Sequence, residues 1–456
     1  MRLFPLLLLA ACPGLPGDSD ESTDTDVDTT NAPPLSDLPT DACSALDYDW
    51  VPLSDVGTVV SWERASELDL TAQTIRGLLG AAGFPSDRLE ILYDVEMYRM
   101  RYRTQDRGEV VDATALVSLP DTDGPVPSLA WLHGTTGFSD ACAPSADGIE
   151  GAAGNLLLSS LGMMVVSPDY LGMNGFGPAS QQVHPYTIAE PTAVASLDSL
   201  RAAWALFDEL DPDAQPTRQT ILFGASEGGF AALWSEMYAP WYLPSADIAG
   251  VVASVPPTDL VGLAEIGVTE LQATSLASAA ALTTYKEWYG WEAPLTDILT
   301  NDPPNELATV MPDLLDSVCS LNSELEEPET TAGIFTSAFI EAAESGTIAD
   351  FEPWGCALEA NSLVTPAFER ISDTPVMYVF SGEDNLVDHR TNRADVPVLC
   401  EQGYDLTVIE CEGANHTQGA IDSIHLQWLW VEERLAGVPT SGECGLPVPI
   451  NCADAD

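Results

Sequence analysis

Three observations in the sequence predict an α/β protein: a mostly parallel central sheet, helices on both of its faces, and a helical cap inserted late in the chain. Short apolar, β-branched runs alternate with stretches that repeat apolar residues at helical spacing, the pattern expected when helices cover a parallel sheet. The alternation stops at Pro256-Pro257, gives way to Ala-, Thr- and Ser-rich acidic pieces broken by prolines, and resumes at Pro375. Upstream of the break, an apolar run meets Gly224-Ala225-Ser226-Glu227-Gly228 and then a helix-compatible segment. Strand, tight turn and helix in that order can hold a serine hydroxyl above a sheet.

Taken in order, the chain opens on Met1-Arg2-Leu3-Phe4-Pro5, then Leu6-Leu7-Leu8-Leu9-Ala10-Ala11-Cys12. One positive charge and an apolar stretch too short to span a bilayer fit an export signal. Leu9-Ala10-Ala11-Cys12 also has the form of a bacterial lipobox, in which the signal is cut before a cysteine that carries lipid. Residues 1–11 are therefore expected to be a lipoprotein signal peptide, with Cys12 as the lipid anchor. Residues 12–42, rich in Asp, Ser, Thr and Pro, have too little apolar surface to fold and read as a self-repelling tether. Export with anchoring to a bacterial membrane, at the outer membrane or cell surface, is the expected location; ordinary secretion is the alternative.

Residues 43–456 are expected to form the folded domain, with the cap at about 257–372. Runs 57–62, 89–102 and 110–119 have strand composition and suggest antiparallel pairing at the start of the sheet. Residues 126–132 read as a buried strand, 151–161 as a helix and 162–166 as the next strand. Within 189–210, Val194, Leu197, Leu200, Trp204 and Phe207 keep helical spacing. Strand candidates at 248–255, 375–380 and 406–411 follow, and Ile421, Ile424, Trp428, Val431 and Leu435 mark a terminal amphipathic helix.

Composition narrows the partners. Acidic residues number 71 against 15 basic ones, a formal charge of −56, and such a surface repels nucleic acid and anionic membranes. The expected contact with a membrane is the lipid anchor alone, and a monomer is expected. Eight cysteines besides Cys12 in an exported chain point to disulfides. The absence of a Cys-x-x-Cys pair or His/Cys cluster argues against a metal.

Acyl transfer needs a nucleophile, a base, a carboxylate to orient the base, and N–H donors for the oxyanion. Ser226 is the candidate nucleophile, since side chains at Gly224 and Gly228 would crowd its turn. Phe380-Ser381-Gly382-Glu383-Asp384 supplies the acid at the end of the strand after the cap; Asp384 lies nearer that strand end than Asp388 and is preferred. Among five histidines, His416 falls on the loop after the last strand, while His133, His184, His389 and His425 sit where structural roles suffice. The backbone N–H of Glu227, and one from Thr135 or else Gly134 in His133-Gly134-Thr135-Thr136-Gly137, would form the oxyanion hole. An aromatic cluster with Trp288, Tyr289 and Trp291 suits either a wall for an apolar substrate or packing inside the cap.

On these motifs the chain resembles the α/β-hydrolase superfamily, and within it the secretory lipases first known from fungi. Cys142-Ala143-Pro144-Ser145, Ser167-Pro168-Asp169-Tyr170-Leu171-Gly172 and Gly224-Ala225-Ser226-Glu227-Gly228-Gly229 carry the likeness, which runs from about 57 to 435. The resemblance implies an α/β-hydrolase fold and a serine carboxylic-ester hydrolase acting on an ester or lipid without a cofactor. It also implies that Cys142 bonds Cys319 and that Cys411 bonds Cys444. Peptidase or polysaccharide acyl esterase activity is the enzymatic alternative, and a non-catalytic binding module the alternative from another class. Glu227 departs from the pattern, because a carboxylate turned inward there would oppose oxyanion charge.

Overall fold

The computed structural model describes residues 32–40, 43, 48–321 and 324–455. The signal peptide, Cys12 and residues 13–31, 41 and 42 of the tether lie outside the described residues. Residues 32–40 depart from the expected free tether: Leu38 is buried, Leu35 packs against the core, and Trp50 Nε1 donates to Leu38 O at 3.1 Å. Nine strands form one sheet: β1 (Val59–Arg64), β2 (Val95–Asp106), β3 (Glu109–Pro120), β4 (Gly124–Leu132), β5 (Met164–Pro168), β6 (Ala214–Ala225), β7 (Asp247–Ser254), β8 (Val376–Ser381) and β9 (Leu406–Cys411). Their order is β1-β2-β3-β5-β4-β6-β7-β8-β9. The first three pair antiparallel and β3 meets β5 antiparallel, whereas β4 to β9 run parallel. This is the α/β-hydrolase fold.

Antiparallel pairing of β2 and β3 starts at a two-residue turn, Arg107-Gly108, between the paired Asp106 and Glu109. Both turn residues have positive φ, 46° and 77°, the geometry whose twist matches flanking strands. Residues 89–94 precede β2 rather than joining it, because Leu92 and Tyr93 donate their N–H groups to Ser160 O at a helix end.

The helices are α1 (Ala72–Ala81), α2 (Gly148–Gly151), α3 (Ala153–Ser160), α4 (Ala189–Leu210), α5 (Glu227–Tyr242), α6 (Leu260–Thr269), α7 (Ala273–Tyr289), α8 (Leu307–Ser317), α9 (Ser337–Glu344), α10 (Trp354–Ala360), α11 (His389–Glu401), α12 (His416–Asp422) and α13 (Ile424–Leu435). Helix α1 has no counterpart among the sequence expectations. The terminal amphipathic stretch is divided between α12 and α13 at Ser423, whose hydroxyl donates back to Gly419 O.

Alternate residues of each central strand feed opposite cores, as the two-residue period of a strand requires. Ile221 and Phe223 pack with α1, α3 and α13, whereas Leu222 packs with α4 and α5. Burial on both faces explains why these strands read as continuous apolar runs. Helices α6 to α10 form an insert between β7 and β8, and their wholly buried Trp288, Trp354 and Tyr289 belong to the same core as α4 and α5. Cys43–Cys356 and Cys142–Cys319 tie the insert to the body across sequence separations of 313 and 177 residues. Closing such long loops stabilises chiefly by restricting the unfolded chain.

One pairing differs from expectation. Cys411 bonds Cys452, and Cys444 bonds Cys400. The tail returns along β9, where Ile450 N donates to Glu410 O and Glu412 N to Ile450 O, which sets Cys452 against Cys411.

Candidate active site

The site lies at the C-terminal ends of the parallel strands, where an open α/β sheet leaves a crevice. Strand β6 passes into α5 through Ser226, whose φ of 59° and ψ of −123° lie outside the regions open to most residues. Such a conformation costs about 1–3 kcal/mol and persists only where the surroundings hold it. Here Ser226 N donates to Ser254 O at 2.8 Å. The flanking glycines have no room for a side chain: a Cβ on Gly224 would fall 1.9 Å from Gly228 O, and one on Gly228 would fall 1.8 Å from Leu132 O.

Beyond β9 the chain turns at Gly413, φ 68°, and His416 opens α12. Asn415 fixes that start with a capping box: its side chain accepts from Gln418 N at 3.0 Å, and Gln418 Oε1 accepts from Asn415 N at 3.3 Å. His416 Nε2 lies 2.8 Å from Ser226 Oγ, and Nδ1 lies 2.7 Å from Asp384 Oδ2. The other carboxylate oxygen of Asp384 accepts from Leu386 N at 2.9 Å and Val387 N at 3.0 Å, which aims Oδ2 at the imidazole. Thus the hydroxyl, imidazole and carboxyl groups stand in one hydrogen-bonded line.

Asp388 is occupied elsewhere. It caps α11 by accepting from Arg390 N and also takes the Arg390 side chain. Burial raises its pKa, but the Arg390 donors outweigh that and hold it at about 2.

The loop after β4 abuts the nucleophile: a Cβ on Gly134 would lie 3.2 Å from Ala225 O and 3.4 Å from Ser226 Cβ. Thr135 is exposed beside it and donates its hydroxyl to Tyr186 Oη at 3.1 Å. Glu227 begins α5, so its backbone N–H has no acceptor within the helix. His133 braces the loop, its Nδ1 donating to Gly134 O at 2.8 Å, and burial lowers its pKa. His184 is buried against Glu227, His389 begins α11, and His425 Nε2 lies 2.8 Å from Ala455 O in the tail.

Two apolar hollows meet here on either side of α7. The inner one runs from Ser226 between Leu260, Leu263, Ala281, Leu282 and Tyr285. The outer one is bounded by Thr135, Phe138, Leu276, Leu321 and Ile334, and shares Tyr186, Ala277 and Leu386 with the inner. A larger polar hollow at β2 and β3, lined by Arg101, Arg103 and Asp112, contains neither Ser226 nor walls suited to an acyl chain.

Trp288, Tyr289 and Trp291 line neither apolar hollow, which corrects the reading of them as a substrate wall. Their polar atoms turn inward: Trp288 Nε1 donates to Asp106 Oδ1 at 3.2 Å, Trp291 Nε1 donates to Cys43 O at 2.9 Å, and Tyr289 Oη accepts from Asn361 Nδ2 at 2.8 Å. Tyr289 and Trp291 stack with centroids 4.8 Å apart, so the cluster fastens the insert to the body. Tyr285, one turn earlier on α7, reaches the inner hollow instead. Sequence reasoning also passed over Leu386 and Val387, although an aspartate accepting from N–H groups two and three residues on is a recurrent turn. Nothing in the sequence signals that His184 meets Glu227.

Among the described residues no group of three His, Cys, Asp or Glu side chains could hold a metal ion, and no helix is long and apolar enough to cross a membrane.

A family model described as secretory lipase matches residues 152–443, a span that holds Ser226, Asp384 and His416 and leaves out the loop at Thr135. No curated protein sequence matches the chain. Among solved structures, the chain is similar to a Legionella pneumophila protein assigned as a hydrolase, at 22% identity over 83% of this chain and 97% of that one, TM-score 0.67. It is also similar to the rice cell wall degrading esterase LipA from Xanthomonas oryzae, at 18% identity over 84% and 96%, TM-score 0.64. Lipase A from Candida antarctica in its closed state aligns at 15% identity over 91% and 90%, TM-score 0.61.

Proposed function

The chain belongs to the secretory lipase family and is a carboxylic ester hydrolase, and from that premise we propose that it works through a Ser226-His416-Asp384 triad and an acyl-enzyme. The unbroken line of hydrogen bonds from Ser226 Oγ through His416 to Asp384, at 2.8 and 2.7 Å, carries this reading. His416 Nε2 takes the hydroxyl proton as Oγ attacks the ester carbonyl, and Asp384 holds the tautomer and offsets the imidazolium. Negative charge on the former carbonyl oxygen is met by the N–H groups of Glu227 and of Thr135 or Gly134. Collapse expels the alcohol with the proton from His416. Water then attacks the acyl-enzyme and gives a proton to His416, which passes it to Ser226 Oγ as the acid leaves.

Residues 257–372 act as the cap over an acyl site formed by the inner hollow, with the outer hollow taking the alcohol. The apolar lining supports a fatty acyl group over a peptide or an acetylated sugar. Steady-state rates on nitrophenyl esters from acetate to long chains, with peptide and acetyl-sugar substrates alongside, test this: activity should rise with acyl length and vanish in Ser226→Ala. Undiminished activity in Ser226→Ala would end the triad reading, and a preference for acetyl sugars would end the lipase reading. Family and disulfides support export, and Cys12 is the proposed lipid anchor. Cys12→Ala should then move the protein from the membrane fraction to the soluble one.

A further inference from the structure

Glu227 follows the nucleophile directly, and its side chain is buried, 2% exposed. Its Oε1 lies 3.0 Å from His184 Nε2, and His184 Nδ1 lies 3.0 Å from Leu171 O. A carbonyl oxygen only accepts, so Nδ1 carries a hydrogen. Nε2 and Oε1 can then bond only if one more proton lies between them, on either atom; otherwise two lone pairs would face each other. With that proton the pair is neutral as a whole. Glu227 Oε2 has no hydrogen-bond partner among the described residues, so His184 is the one side chain there that bonds the carboxylate.

The surroundings hold this arrangement closely. Gly172 lies so near that a Cβ there would fall 2.2 Å from His184 N. Tyr170 stacks on the imidazole, and Phe138 and Tyr186 contact it, with centroids 6.0 to 6.1 Å away. The other titratable groups facing the pair are His133, whose pKa burial lowers, and beyond it Asp169, whose pKa burial raises while Ser145 and Thr114 donate to it. Tyr186, two residues past His184, accepts from Thr135. The segment 184–186 therefore grips Glu227 and the loop of Gly134 and Thr135, from which the oxyanion's N–H donors would come.

We infer that His184 is a positioning residue of this site: with Glu227 it holds one proton that cancels a carboxylate's charge behind the oxyanion hole, on the segment that aligns the two donors. This rests on the proposed roles of Ser226 and the hole. It also explains how a carboxylate can occupy the position after the nucleophile.

The test compares the full-length protein with His184→Gln, Glu227→Gln, Glu227→Asp and the double variant His184→Gln/Glu227→Gln. Two readouts are taken: kcat and KM on a nitrophenyl ester, and the rate of fluorophosphonate labelling at Ser226. His184→Gln should lower kcat and labelling about 10- to 100-fold with KM changed less than about threefold, because the uncancelled charge opposes only the developing oxyanion. Glu227→Gln, whose amide donates to neutral Nε2, should lose less, about three- to tenfold, and the double variant should run about tenfold faster than His184→Gln alone. A merely structural role makes the losses add, so a double variant no better than His184→Gln would overturn the inference. Should His184→Gln fail to fold, Glu227→Asp decides: it keeps the charge but pulls it out of reach of Nε2. Asp should then be about tenfold slower than Gln, and equal rates would overturn the inference. Wild type that does not label defeats the Ser226 reading itself; wild type that labels, with His184→Gln labelling equally fast, defeats only the role of His184.

Discussion

On the sheet side of the site, backbone geometry places the reacting groups. Ser226, Asp384 and His416 each follow the end of a parallel strand and are fixed by main-chain contacts: Ser254 O on Ser226 N, two N–H groups on Asp384, a capping box around His416. On the insert side, side-chain packing builds the walls. Leu263, Leu282 and Tyr285 are buried on helices that share one core with the body, and two disulfides fasten those helices. Main-chain contacts demand particular residues over short stretches and leave motifs, whereas packing demands only apolar volume and leaves none. The division implies that the sheet decides whether an ester is cleaved and the insert decides which one.

The sharpest break in that comparison is Ser226→Ala, which should cost kcat about 10⁵-fold or more while far-UV circular dichroism stays unchanged. Next come two carboxylates four residues apart. Asp384→Asn should lower kcat by about 10³- to 10⁴-fold, whereas Asp388→Asn should leave kcat near wild type and cost at most about 1 kcal/mol of stability, because Asn still caps α11 and only the charge facing the Arg390 side chain is lost. Asp388 is held at about 2, below its ordinary 3.8, so its contribution to stability is present above 3.8 and disappears as pH falls through about 2. Denaturant melts below pH 4 should accordingly show a shallower acid loss in Asp388→Asn.

On the insert, Leu263→Trp should cut kcat/KM for long-chain esters about tenfold and spare acetate esters, by filling the inner hollow. A uniform loss at every chain length would blur the division between the two regions. The smallest effect concerns Asp395, whose hydroxyl partner Thr258 leads into the insert. Burial pushes its pKa up to about 7 from 3.8, against the pull of Thr258. With the folded value raised, the stabilisation is full below 3.8 and lost as pH rises through 7. The melting temperature of wild type should thus fall by a few degrees relative to Asp395→Asn between pH 4 and 8.

Legibility followed the same division. Ser226 could be read because the glycines its turn requires are contiguous with it, and Asp384 and His416 because strand ends in the right chain order leave few candidates. The sheet's buried strands showed as apolar runs, and the break at Pro256-Pro257 marked where helices take over. The facing of Trp288, Tyr289 and Trp291 was not legible, since it depends on the roll of α7 against residues far earlier in the chain, Asp106 among them. Cys452 found Cys411 through a tail that returns beside β9, and His184 found Glu227 across 43 residues. Neither contact leaves a local pattern.

The most direct measurement is the intact mass of the protein quenched in acid during turnover of a slowly hydrolysed ester, followed by mapping of the modified peptide. An added mass equal to the acyl group, on the peptide carrying Ser226 and absent from Ser226→Ala, is the expected result. Hydrolysis with no acyl adduct, or an adduct on another residue, would contradict it.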